Sequence, residues 1–154
     1  MDAEPNIQLF TFRTFPKELL AEHLPNVHVA VMHGLKRDLT RIQTASNTTD
    51  ETVFIGFALS KSTRQEPVAI NRFNNGTIDR SGPNVVELAL FDTLTVPVAQ
   101  NPTWSFCNYT AYVLAQNYRV HFIHTTRDDF MAIADYIKRY LLNTNQRERI
   151  LATL

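Results

Sequence analysis

Short runs rich in β-branched and aromatic residues alternate along this chain with segments of helical period. Ile7–Phe12 (IQLFTF) and Val27–Met32 (VHVAVM) read as strands, with a short helix over Pro16–Glu22 between them, opened by proline at its first turn. A helix from about Lys36 to Thr44 follows. Thr52–Ala58 (TVFIGFA) is a continuous apolar run of the kind buried on both faces of a sheet. Glu66–Asn71 (EPVAIN) is a short strand that Pro67 pushes toward a sheet edge, and Asn74–Gly82 is a loop.

Val85–Leu94 (VVELALFDTL) fits the strand and the helix period equally. After Pro97 and Pro102, Phe106–Gln116 reads as a helix and Arg119–His124 (RVHFIH) as a strand. Thr126 then caps a helix from Arg127 to about Leu142, with Asp129 three residues on completing a capping-box pattern. Phe130, Ile133, Ala134, Ile137 and Leu141 fall on one face of that helix. Strands alternating with helices predict a three-layer α/β/α sandwich with a mostly parallel sheet.

Composition narrows the class. At 154 residues the expectation is one domain over 1–154, and 44% hydrophobic against 19% charged residues excludes a disordered chain. Fifteen basic and fifteen acidic residues cancel, so no global field draws in nucleic acid or an anionic membrane. No stretch approaches the roughly 20 apolar residues of a membrane span. Residues 1–6 lack a basic stretch leading into an apolar one, and the expectation is a soluble cytoplasmic protein. Asn-x-Thr triplets at Asn47, Asn75 and Asn108 are then chance matches rather than glycan sites.

Four glycines (Gly34, Gly56, Gly76, Gly82) cannot spell either glycine-rich phosphate loop, so no nucleotide cofactor is expected. The single cysteine, Cys107, excludes an internal disulfide and a multi-thiolate zinc site; no metal is expected. It is either inert core or a reactive thiol.

In open α/β sheets the functional crevice lies beyond the carboxyl ends of the strands. Cys107 falls in the first turn of its helix, where free amides and the helix dipole favour a thiolate and depress the thiol pKa. His124 closes the next strand, within reach of such a cysteine, and the two are the minimum for nucleophilic catalysis by sulfur. His33, also at a strand end, has an equal geometric claim to the role of base.

Resemblance separates these options. Ser105-Phe-Cys-Asn-Tyr-Thr-Ala-Tyr, followed by Phe122-Ile-His, resembles the active-site region of pyroglutamyl peptidase I, the pyrrolidone-carboxylate cysteine peptidases. Phe54-Ile-Gly-Phe-Ala is similar to that family's strand ending G-L-A. Glu66-Pro-Val-Ala-Ile-Asn is similar to its E-R-V-A-I-N, and Ile78-Asp-Arg-Ser-Gly sits near its I-x-D-x-x-G. Phe12-Arg-Thr-Phe15 keeps the aromatic spacing of its G-F-E-P-F turn. The resemblance implies catalytic Cys107 and His124, with Glu66 as the third member. It implies Phe12 and Phe15 as walls of a slot for the pyroglutamyl ring.

Departures accompany the likeness. The family's G-L-A-G-G-R turn reads Gly56-Phe-Ala-Leu-Ser-Lys61 here, lacking the glycine pair and the arginine, whose charge falls to Lys61 or Arg64. Thr126 and Pro67 replace the family's usual proline and arginine, and the intervals from Glu66 to Cys107 and from Cys107 to His124 are compressed.

The resemblance thus implies a cysteine exopeptidase acting on peptides with an amino-terminal pyroglutamate, with a resting thiolate–imidazolium pair. The alternative is a binding or regulatory protein on the same fold. A structural role is a third class, resting on the amphipathic Asp135–Leu142 and Arg149–Leu154, which also admit a homo-oligomer.

Overall fold

The structure, a computed structural model, describes residues 6–33, 38–40, 52–102 and 105–143. The β-branched and aromatic runs form strands β1 (Asn6–Phe12), β2 (Val29–Met32), β3 (Thr52–Leu59), β4 (Arg64–Gln65), β5 (Val68–Ile70), β6 (Val85–Glu87) and β7 (Arg119–Thr125). The helices are α1 (Lys17–His23), α2 (Phe106–Ala115) and α3 (Phe130–Asn143). Five strands make one sheet in the order β2-β1-β3-β7-β4, parallel except where the short edge strand β4 runs against β7. β5 and β6 form a separate antiparallel pair.

Alternation along each strand builds two cores, one on each face of the sheet. Ile7, Leu9, Val53, Ile55, Phe57 and Ile123 point to the face covered by α1 and α3, where Phe130, Ile133, Ala134, Ile137 and Leu141 meet them. Phe10, Phe12, Phe54, Ala58, Val120 and Phe122 point to the other face, against Ala111, Tyr112 and Leu114 of α2. The result is the expected α/β/α sandwich, with both faces of β3 buried as its unbroken apolar run requires.

Several expected elements are altered by backbone chemistry. Pro16, with ψ at 125°, is the N-cap of α1 rather than its first helical residue. The strand expected over 66–71 is divided: Glu66 donates its N–H to Phe122 O, and then Pro67, with no N–H to give, lets the chain leave β7 and join β6. The segment 85–94 yields only the three-residue β6, followed by irregular backbone held to β7 through Ala89 N–H to Val120 O. Thr126 Oγ1 accepts from Asp129 N–H, as expected of the cap. Asp129, however, turns its carboxylate to the Thr63 hydroxyl, and that hydroxyl accepts from Thr126 N–H, replacing the reciprocal half of the box. Of the helix expected over 36–44, residues 38–40 are helical. Its remainder, Asn47 and the segment 149–154 lie outside the described residues.

Candidate active site

The carboxyl ends of the parallel strands converge near the start of α2. On β7 the two-residue period puts Val120, Phe122 and His124 on the α2 face, and His121 on the other, where its ring stacks on Phe91 at 3.8 Å. His124 therefore reaches the layer that holds Cys107. It pairs in register with Ala58 of β3 on one side and Arg64 of β4 on the other.

Glu66 arrives from that second side. Its Oε1 lies 2.8 Å from His124 Nδ1 and accepts a second hydrogen bond from Arg64 Nε at 3.1 Å. Glu66 and His124 are both buried, and their contact excludes water. Arg64 is only half-buried and is itself held by the Ser60 and Ser62 hydroxyls, at 2.8 and 3.0 Å, and by Ser62 O. Between the two candidate carriers of the missing positive charge, Arg64 makes the contact, while Lys61 is exposed. The second carboxylate oxygen, Oε2, is buried and has no hydrogen-bond partner among the described residues. Glu66 and Cys107 together line a small internal space of about 10 Å3.

Ser105 is the N-cap of α2, its hydroxyl accepting from Cys107 N–H at 3.3 Å, which fixes Cys107 in the first turn. Cys107 also lines a second, open pocket of about 240 Å3 with Phe12, Arg13, His33, Ala58 and Phe106 among its walls. The thiol departs from the depressed value expected of a helix start. Burial pushes it up from 9.0; the Ser105 hydroxyl and the backbone amide oppose this, Glu66 adds to it, and Arg64 opposes it, with burial prevailing. A resting thiolate is thus not favoured here, and that expectation is corrected.

The two phenylalanines part company. Phe12 lines the open pocket beside Cys107, edge-on to Phe106. Phe15 lies under the opposite face of the sheet, packed on Phe57 and Phe130 at 5.1 and 4.8 Å, as core and not as a pocket wall. His33 lines the same pocket, but the orienting carboxylate is hydrogen-bonded to His124.

Sequence reasoning gave no role to Asn108. Its side chain accepts from Ile70 N–H and donates to Ile70 O and Arg72 O, fastening β5 to α2 immediately after the cysteine. A buried amide in this bonding pattern is closed to glycosylation. The one available signal was a polar residue one turn before Ala111 and Tyr112 on the same helix face. Ser60 and Ser62 gave no signal at all, because nothing in a serine's spacing shows that an arginine folds back onto it.

No protein-family profile matches the chain, and no curated protein matches it. Solved structures do. The fold is that of the pyroglutamyl and pyrrolidone carboxyl peptidase structures. Pyroglutamyl peptidase I from Bacillus amyloliquefaciens aligns over 90% of this chain and 92% of its own at 17% identity, with a TM-score of 0.59. Pyrrolidone carboxyl peptidase from Fervidobacterium islandicum aligns over 94% and 99% at 14% identity, with a TM-score of 0.61. The enzyme from Pyrococcus furiosus aligns over 97% and 100% at 12% identity, with a TM-score of 0.60. At these identities the likeness is one of fold. No helix among the described residues is long and apolar enough to cross a membrane.

Proposed function

We propose that this chain is a cysteine peptidase that releases an amino-terminal pyroglutamyl residue, or a similarly blocked one, from a peptide. The observation that carries this reading is the buried 2.8 Å contact of Glu66 with His124, on the sheet face where Cys107 opens α2. The peptidase fold of the solved neighbours supports it.

Each residue has a chemical task. Glu66 accepts a hydrogen bond from His124 Nδ1–H, which leaves the Nε2 lone pair as the base. The thiol enters protonated, and Nε2 takes that proton as sulfur attacks the carbonyl carbon that joins pyroglutamate to the next residue. Main-chain N–H groups at the start of α2 meet the developing oxyanion. Collapse breaks the C–N bond; His124 gives its proton to the departing amine, and a thioester remains. Water, deprotonated by His124, then attacks the thioester and frees both the acid and the thiol. The Phe12 ring walls the slot for the lactam, which carries no charge and asks for an apolar surface.

A second reading, a binding module with little turnover, draws on the raised Cys107 thiol and on the absence of the glycine pair after Ala58. Incubation with a pyroglutamyl chromogenic amide separates the two. Release abolished by iodoacetamide and by Cys107→Ala is the outcome expected of the peptidase. No release, with Cys107 alkylated only slowly, establishes the binding module instead.

A further inference from the structure

Among the described residues, the open pocket beside Cys107 carries one permanent charge. Its walls are apolar at Phe12, Met32 and Phe106, and basic at Arg13 and His33; among the described residues none that lines it is acidic. Arg13 lies on the turn between β1 and α1, and its backbone is fixed there by Arg13 N–H to Met32 O at 2.9 Å and by Phe15 N–H to Phe12 O at 2.8 Å. The backbone is thus held while the guanidinium remains exposed, and among the described residues it has no ion-pair or hydrogen-bond partner. Two acids lie near the site and neither pairs with it: Glu66 Oε1 is bonded to both Arg64 and His124 with Oε2 buried, and the buried Asp38 accepts from His33 N–H at 2.8 Å.

A guanidinium that no described acid pairs, at the wall of a largely apolar pocket, repels an ammonium and attracts a carboxylate. Resting on the peptidase reading above, we propose that Arg13 is a specificity-determining residue selecting substrates with a carboxylate on the departing side of the scissile amide. That carboxylate is either the free carboxyl end of a pyroglutamyl dipeptide or an acidic side chain following pyroglutamate.

One experiment reads the pocket's charge without turnover. Cys107 is the only cysteine, so intact mass reports its alkylation unambiguously. The rate with anionic iodoacetate divided by that with neutral iodoacetamide, normalised to the same ratio for glutathione, is expected to be about fivefold above one at low salt. It should fall to one or below in Arg13→Glu and shrink as salt is added. A ratio of one that Arg13→Glu leaves unmoved overturns the proposal.

Turnover then identifies the carboxylate. Preference for pyroglutamyl-alanine over its amide points to the free carboxyl end, and preference for pyroglutamyl-aspartate amide over pyroglutamyl-asparagine amide points to the side chain. Either preference, about fivefold in kcat/KM and reversed by Arg13→Glu, supports the assignment; equal rates for both pairs reject it. A raised alkylation ratio with no turnover of any pyroglutamyl substrate rejects the peptidase reading and leaves the selectivity for anions supported.

Discussion

The carboxylate of Glu66 and the imidazole of His124 meet at 2.8 Å because Pro67 stops β4 from continuing along β7. Glu66 makes the last backbone bond to β7, through Phe122 O, and its side chain is left beside the histidine two residues further along that strand. Neither residue is close to the other in sequence, and both are shielded from water, so the contact is worth more than the same pair on a surface.

If that contact orients the base, Glu66→Gln removes the acceptor while preserving shape. The amide can present its NH2 to Nδ1, which then becomes the acceptor, and the proton moves to Nε2, where the base is needed. The kcat for a pyroglutamyl amide is expected to fall about 10^3–10^4-fold, with KM nearly unchanged. A loss below tenfold in a folded variant removes Glu66 from the mechanism.

Arg64 acts through its neighbours, and its test is a pH profile. Its charge lowers the Cys107 thiol while that of Glu66 raises it. Removing the cation in Arg64→Met therefore moves the midpoint of the iodoacetamide rate profile of Cys107 to higher pH, and Glu66→Gln moves it lower. Arg64→Lys retains charge without the fork and lies between wild type and Arg64→Met. A role confined to packing would leave the midpoint in place in all three.

What could be read from the chain differs by element. The strand β3 is legible because burial on both faces demands an unbroken apolar run, β1 and β7 from their β-branched and aromatic residues, and α3 from its five-residue face. Cys107 and His124 were legible as a helix start and a strand end, whereas the choice of His124 over His33 and the role of Glu66 rested on resemblance, because Glu66 is brought to His124 by a proline break whose direction no periodicity encodes. The position of Phe15 was misjudged for a related reason: the spacing of two phenylalanines on a turn does not say that they leave it on opposite faces of the sheet. The thiol shift was misjudged because the helix terminus is visible in sequence, whereas the packing that buries the sulfur is not.

His121 makes acid stability predictable. Burial, then the nearby Arg119 charge, lower its pKa from 6.5 to about 4. Between those values the unfolded chain binds a proton that the native one refuses, so stability rises with pH across the window. The contribution is fully present above about 6.5 and lost as pH falls through about 4, on the order of 3 kcal/mol. Urea midpoints measured from pH 4 to 7 should fall on acidification in wild type and fall less in His121→Phe, which preserves the stack on Phe91. Equal slopes in the two proteins would mean that another group carries the dependence.

Gly56 ties the core to the pocket. A Cβ built there would stand 2.2 Å from Phe10 Cζ, and Phe10, fully buried against Phe12, Phe54 and Phe122, can give way only by pushing on those rings. Gly56→Ala is therefore expected to cost about 1–3 kcal/mol in urea unfolding, the usual range for overpacking. Because Phe10 packs edge-on to Phe12, whose ring lines the pocket at Cys107, the displaced ring also reshapes the substrate slot, raising KM more than it lowers kcat. Shortening the obstructing ring in Gly56→Ala/Phe10→Leu should recover part of both losses relative to the sum of the single variants, a coupling expected only of residues in contact. Strict additivity of the two changes would place the cost of the methyl group elsewhere than on Phe10.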